Sequence, residues 1–141
     1  MCGIIALFGE EVEISSHLLN HRGPDDYKSE TLGKCRMDFY RLAINDLTPA
    51  GMQPFRRCKY MVVCNGEIFN HQELSIERCP SKSDCEAILP LIRYHGIEKT
   101  LGLLKTIPLE GCREITMGCV PIIQGKTKLI NDLYVLRQVH K

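Results

Sequence analysis

Apolar residues follow Gly3 without a break through Phe8, so GIIALF predicts a short strand that holds residue 2 at the edge of a sheet. Ile14, Leu18 and Leu19 fall at helical spacing and predict a short helix ending near His21. Arg22-Gly23-Pro24-Asp25-Asp26 reads as a turn. Further strands are expected at Cys35–Tyr40, Leu42–Leu47 and Lys59–Cys64, with Thr48–Pro54 a loop. The clearest helix begins near Ser83. Ser83 and Glu86 form a capping-box pattern, Ala87, Ile88, Leu91 and Ile92 make an apolar face, and Gly96 suits a left-handed stop. Pro90 predicts a kink or early end, because an interior proline costs about 3 kcal/mol. A second helix is expected from Ile97 to Lys105. Strands at Glu114–Ile123 and Lys128–Arg137 would follow, joined by a turn at Gly125.

The 141 residues fit one domain able to bury its own core, without repeats or a linker. Eighteen basic residues face seventeen acidic ones, and the longest basic run is Arg56-Arg57, so composition gives no case for nucleic acid or an anionic membrane. No apolar run reaches bilayer-spanning length and no secretory segment is evident, so a cytoplasmic location is expected. The eight cysteines contain no Cys-x-x-Cys pair, and the five histidines add no zinc-ligand spacing; no metal site is expected. Seven of the eight cysteines read as structural or incidental thiols.

Cys2 is the exception. Loss of Met1 would leave a residue carrying both a thiol nucleophile and an α-amine able to act as its base. An α-amine titrates at about 7.7–8.0, close to the range that favours general-base work.

Five segments carry a resemblance. Met1-Cys2-Gly3-Ile4, His21-Arg22-Gly23-Pro24-Asp25, Arg41-Leu42-Ala43-Ile44-Asn45-Asp46, Asn65-Gly66-Glu67-Ile68-Phe69-Asn70-His71 and Ser83-Asp84-Cys85-Glu86 occur in this order. Together they resemble the glutamine-hydrolysing domain of asparagine synthetases, class II glutamine amidotransferases of the N-terminal nucleophile hydrolase type. Pro24, where the sugar-amidating relatives have a different residue after the Arg-Gly pair, and Glu67, which other branches lack, both favour that branch. The resemblance covers about residues 1–100 and implies an α+β fold, an αββα sandwich of two antiparallel sheets between helical layers.

The resemblance also implies roles. Cys2 would attack the side-chain amide of L-glutamine, while Asn65 and the Gly66 backbone N–H would donate to the oxyanion. Glycine at 66 would suit this by exposing its amide in a conformation other residues avoid. Arg41 would take the substrate carboxylate through its planar fork, and Glu67 and Asp84 would face the ammonium group. The backbone from Leu42 through Ala43 and Ile44 to Asn45 would line the pocket. Arg22, Gly23 and Asp25 would position the loop beside the nucleophile. His21 and the other histidines have no assigned part in the chemistry.

Residues 101–141 depart from the pattern. The expected domain is therefore a single unit over 1–141, family-like to about 100, in which 101–141 either replace the family's closing strands or leave the C-terminal end incomplete. No Ser-Gly-Gly-Leu-Asp-Ser loop for ATP occurs, so ATP and Mg would enter only through a separate synthetase subunit; this chain needs no cofactor of its own. The expected activity is glutamine hydrolysis to glutamate and ammonia through a Cys2 thioester, related to asparagine biosynthesis. The rival expectations are an inactive glutamine-binding remnant and a fragment that folds only with a partner. A homodimer is a further possible assembly.

Overall fold

The run GIIALF forms a strand because Ile4 to Leu7 are apolar on both faces and both faces are covered. The computed structural model describes residues 2–9, 13, 15–104, 118–119 and 134–137. Gly3–Phe8 (β1), Asp26–Leu32 (β2) and Cys35–Arg41 (β3) form an antiparallel sheet in the order β1-β3-β2. A second sheet has the order β4-β5-β7-β6, from Phe55–Arg57 (β4), Tyr60–Val63 (β5), Gly118–Cys119 (β6) and Tyr134–Arg137 (β7). β4 and β7 pair antiparallel with β5, and β6 pairs parallel with β7. Ile88–His95 (α1) and Ile97–Leu103 (α2) follow a 3-10 turn at Asp84–Ala87. The architecture is α+β, with two sheets and two helices among the described residues.

Strand alternation divides the core. Ile4, Ala6, Met37 and Phe39 pack with Met61 and Val63, joining the sheets face to face. Ile5, Leu7 and Tyr40 occupy the opposite face, where Leu19 and the cross-strand neighbour Tyr27 pack against them. The other side of β5 supplies Val62, which with Phe55 and Cys64 meets Ile68, Cys85, Ile88, Leu89 and Ile92. Thus β5 lies between the first sheet and α1.

Several expectations are corrected. His17 to Arg22 form successive turns instead of a helix: Leu18, Asn20 and Arg22 each donate their N–H to a carbonyl three residues earlier. Ile14 lies outside the described residues. Leu42–Leu47 is a loop, because its backbone bonds go to side chains elsewhere instead of to a strand. β2 and β4 were not expected; β2 is a largely polar edge strand held by its register with β3. The capping box does not form. Ser83 makes no side-chain cap bond, and Glu86 instead accepts from the Ser81 N–H at 2.8 Å and from its hydroxyl. Pro90 causes no interior break, since it falls in the first turn of α1, where N–H groups depend least on intrahelical acceptors.

Gly96 ends α1 with φ +76° and ψ 171°, an extended positive-φ conformation that suits glycine alone, not the left-handed helical one. The end of α2 at Leu103 agrees with the expected helix; Lys105 lies outside the described residues. β6 and β7 fall within the two expected C-terminal strands, but their parallel pairing excludes a simple hairpin through Gly125, itself outside the described residues. No helix among the described residues is long and apolar enough to cross a membrane.

Candidate active site

Register brings the site together. Gly3 lies opposite Tyr40 in the β1–β3 pair, so residue 2 meets the chain as it leaves β3. β5 packs beneath this sheet and delivers Asn65 to the same end. The Cys2 N–H donates to Asn65 Oδ1 at 3.0 Å. The half-buried Cys2 thiol lies against Leu42: the Leu42 N–H donates to Sγ at 3.3 Å, and Sγ donates to the Leu42 carbonyl at 3.6 Å.

The Arg-Gly-Pro-Asp segment braces these contacts. Arg22 Nε donates to the Cys2 carbonyl at 3.1 Å, while its buried Nη2 has no hydrogen-bond partner among the described residues. A Cβ on Gly23 would lie 2.1 Å from the Tyr40 carbonyl oxygen, so this close backbone approach requires glycine. The Asp25 N–H donates to the Arg41 carbonyl at 3.0 Å, and Asp25 Oδ2 accepts from the Ala43 N–H at 2.7 Å.

The remaining expected residues divide into two groups. Arg41 is buried, and its guanidinium donates to the carbonyls of Thr48, at 2.8 Å, and Asp46. Asp84 is buried and bridges two segments, with Oδ1 accepting from Asn45 Nδ2 at 3.0 Å and Oδ2 from the Ile68 N–H at 2.6 Å. Glu67 and Gly66 are exposed, as is Ile44 at the edge of the pocket-lining loop. The expected conformational reason for glycine at 66 does not hold: its φ is outside the positive region, and an added Cβ would meet nothing within 4 Å among the described residues. His21 is exposed, whereas His71 Nδ1 contacts the Ile68 carbonyl at 2.9 Å.

Sequence reasoning missed the part played by Asp46. Its Oδ1 accepts from the Thr48 N–H at 2.8 Å and the Thr48 hydroxyl at 2.7 Å, while Oδ2 accepts from the Lys82 N–H at 2.8 Å. Asp-Leu-Thr was a legible signal for the local turn, but not for the long-range bond. The Lys82 N–H and the two Thr48 donors hold the Asp46 carboxyl below its usual range. A depressed folded-state pKa gives stability that is present above the unfolded value of about 3.9 and lost as pH falls through the folded value. The melting-temperature gap between wild type and Asp46→Asn is therefore expected to narrow as pH falls from about 7 toward 3. A gap independent of pH across that window would contradict this assignment.

The geometry thus gathers a thiol, an asparagine amide, a buried arginine and a buried carboxylate around one end of the two sheets. A family model described as a glutamine amidotransferase domain matches residues 1–107. The chain belongs to the glutamine amidotransferase domain family. Among its relatives is a probable asparagine synthetase [glutamine-hydrolyzing] from Acanthamoeba polyphaga mimivirus, 39% identical over 127 residues, covering 78% of this chain and 22% of that protein. The asparagine synthetase [glutamine-hydrolyzing] of Bos taurus is 41% identical over 118 residues, and that of Homo sapiens 40%; each match covers 74% of this chain and 21% of the relative. The chain therefore spans about a fifth of the length of these curated relatives. Within that family the chain is similar to the glutamine-hydrolysing asparagine synthetases. Among the described residues of this amidotransferase domain, no group of three or more His, Cys, Asp or Glu side chains could hold a metal ion.

Proposed function

We propose that this domain hydrolyses L-glutamine to L-glutamate and ammonia, with Cys2 as nucleophile after removal of Met1. The observation that carries the reading is the placement of both functional groups of Cys2. Its nitrogen is held by Asn65 Oδ1 at 3.0 Å, and its sulfur rests on the backbone of Leu42. The freed amine takes the thiol proton, and sulfur attacks the substrate amide carbon. Because Asn65 Oδ1 faces the Cys2 nitrogen, the donor this side chain offers to the oxyanion is its NH2 group; the Gly66 N–H is the second donor. Collapse of the tetrahedral intermediate breaks the carbon–nitrogen bond, and the Cys2 ammonium protonates departing ammonia. Water then attacks the γ-glutamyl thioester, releasing glutamate and restoring the thiol.

Recognition of the free amino acid falls to Arg41 for the carboxylate and to Glu67 and Asp84 for the ammonium, with the Leu42–Asn45 backbone as a wall. Arg41 uses both Nη atoms on its own loop, so its carboxylate contact draws on the remaining N–H groups of the fork. Each Asp84 oxygen already accepts one hydrogen bond and has a further lone pair for an ammonium; exposed Glu67 is the more open partner. Arg22, Gly23 and Asp25 act by positioning. The finer fold assignment we propose is the αββα sandwich of N-terminal nucleophile hydrolases, in one domain over 1–141. The two face-packed sheets with α1 outside support it.

The nitrogen acceptor belongs to a separate synthetase subunit or domain, where ATP and Mg would serve asparagine synthesis; a cytoplasmic setting fits that role. The catalytic reading itself needs neither group. Supplying purified protein with glutamine tests it: glutamate and ammonia released in equal amounts support hydrolysis. Glutamine-dependent thermal stabilisation without release of either product would instead establish a binding module.

A further inference from the structure

The backbone ladder between β4 and β5 stops where the oxyanion segment begins. Phe55 pairs with Val62, so the same register places Pro54 beside Val63 and Gln53 beside Cys64. Pro54 has no N–H and cannot extend the ladder. The buried Gln53 side chain takes over: its Oε1 accepts from the Cys64 N–H at 2.6 Å, and its Nε2 donates to the Cys64 carbonyl at 3.1 Å. One side-chain amide thereby reproduces the paired donor and acceptor of a neighbouring strand.

We propose that Gln53 is a positioning residue for the oxyanion donors, clamping residue 64 so that Asn65 and Gly66 face the carbonyl under attack by Cys2. This inference rests on the glutaminase reading above. The clamp acts on the peptide unit directly preceding Asn65, whose side chain in turn holds the Cys2 nitrogen at 3.0 Å. Gly66 is restrained from another side, where its carbonyl accepts from the Cys85 thiol at 3.7 Å. Oxyanion donors are effective only when fixed before charge develops, so a small rotation at residue 64 weakens turnover more than substrate binding. Gln53 also follows the loop that carries Arg41 to Thr48, and the clamp therefore joins the recognition loop to the oxyanion segment.

The test compares wild type with Gln53→Leu, which removes both bonds, and Gln53→Glu, which keeps the acceptor but sets a carboxylate oxygen against the Cys64 carbonyl. For both variants kcat is expected to fall about 10–100-fold while KM stays within about threefold. Cys2 alkylation by iodoacetamide, which forms no oxyanion, should match wild type within about twofold, while labelling by the diazoketone analogue of glutamine should fall with kcat. Unchanged kcat, or an equal loss in both labelling rates, overturns the proposal. If Gln53→Leu does not fold, Gln53→Glu decides. Should wild type leave glutamine intact, the glutaminase reading fails separately. The clamp is then judged by amide exchange: the Cys64 N–H must exchange about 100-fold faster in the variant with Phe39 unchanged, and equal exchange overturns it.

Discussion

Replacing Cys2 by alanine is expected to lower glutamine hydrolysis by about four orders of magnitude or more, the scale seen when a covalent nucleophile is removed. The deletion takes away the atom that forms the thioester and leaves the amine without a proton to collect. It should leave the fold intact. Cys2 is half-buried at the margin of the first core, and the residues that build that core, from Ile4 to Phe39, are untouched. Unfolding midpoints within a few degrees of wild type, with product formation at background, are the expected pair of results. Equal glutamate release by wild type and variant would remove Cys2 from the chemistry.

The second large effect is expected at Asn65. Asn65→Ala deletes the acceptor that orients the Cys2 nitrogen and the proposed donor to the oxyanion. Loss of one such donor costs about 2.7–4 kcal/mol, or roughly 100–1,000-fold in kcat. The loss should appear in kcat, with KM little changed, because the interaction strengthens as the carbonyl becomes an oxyanion. Asn65→Asp is a sharper probe. It keeps an oxygen for the Cys2 nitrogen but offers the developing anion a negative charge, so its kcat should fall at least as far. Steady-state kinetics on both variants distinguishes the roles: an Asn65→Asp enzyme near wild-type activity would assign Asn65 to the amine alone. A rise in KM without loss of kcat would assign it to ground-state binding.

The parts of the fold legible in sequence were those whose pattern is local. GIIALF could be only a short buried strand, and Gly96 had to end a helix. β2 was missed because its sequence, DYKSETL, has few apolar residues, and its strand state comes from pairing with β3. Leu42–Leu47 misled in the opposite way. Its apolar residues suggested a strand, yet Ile44 and Leu47 are 71% and 79% exposed, and its backbone serves Cys2 and Asp25. Ser83 and Glu86 had capping-box spacing, but the Ser81 N–H and hydroxyl hold the carboxylate instead.

Motif order in the sequence groups Cys2, Arg22, Leu42 and Asn65, and the fold brings these four into contact around Cys2. The supporting bonds were not legible in the sequence. Asp46 to Lys82 and Gln53 to Cys64 link residues whose types are common in loops, and only the register of two sheets brings them into contact.

The most direct measurement is the intact mass of the purified chain, before and after reaction with the diazoketone analogue of glutamine. A chain lighter by one methionine residue that gains a single adduct, mapped to Cys2, is the expected result. A chain that retains Met1 and still hydrolyses glutamine, or an adduct on any other cysteine, would contradict it.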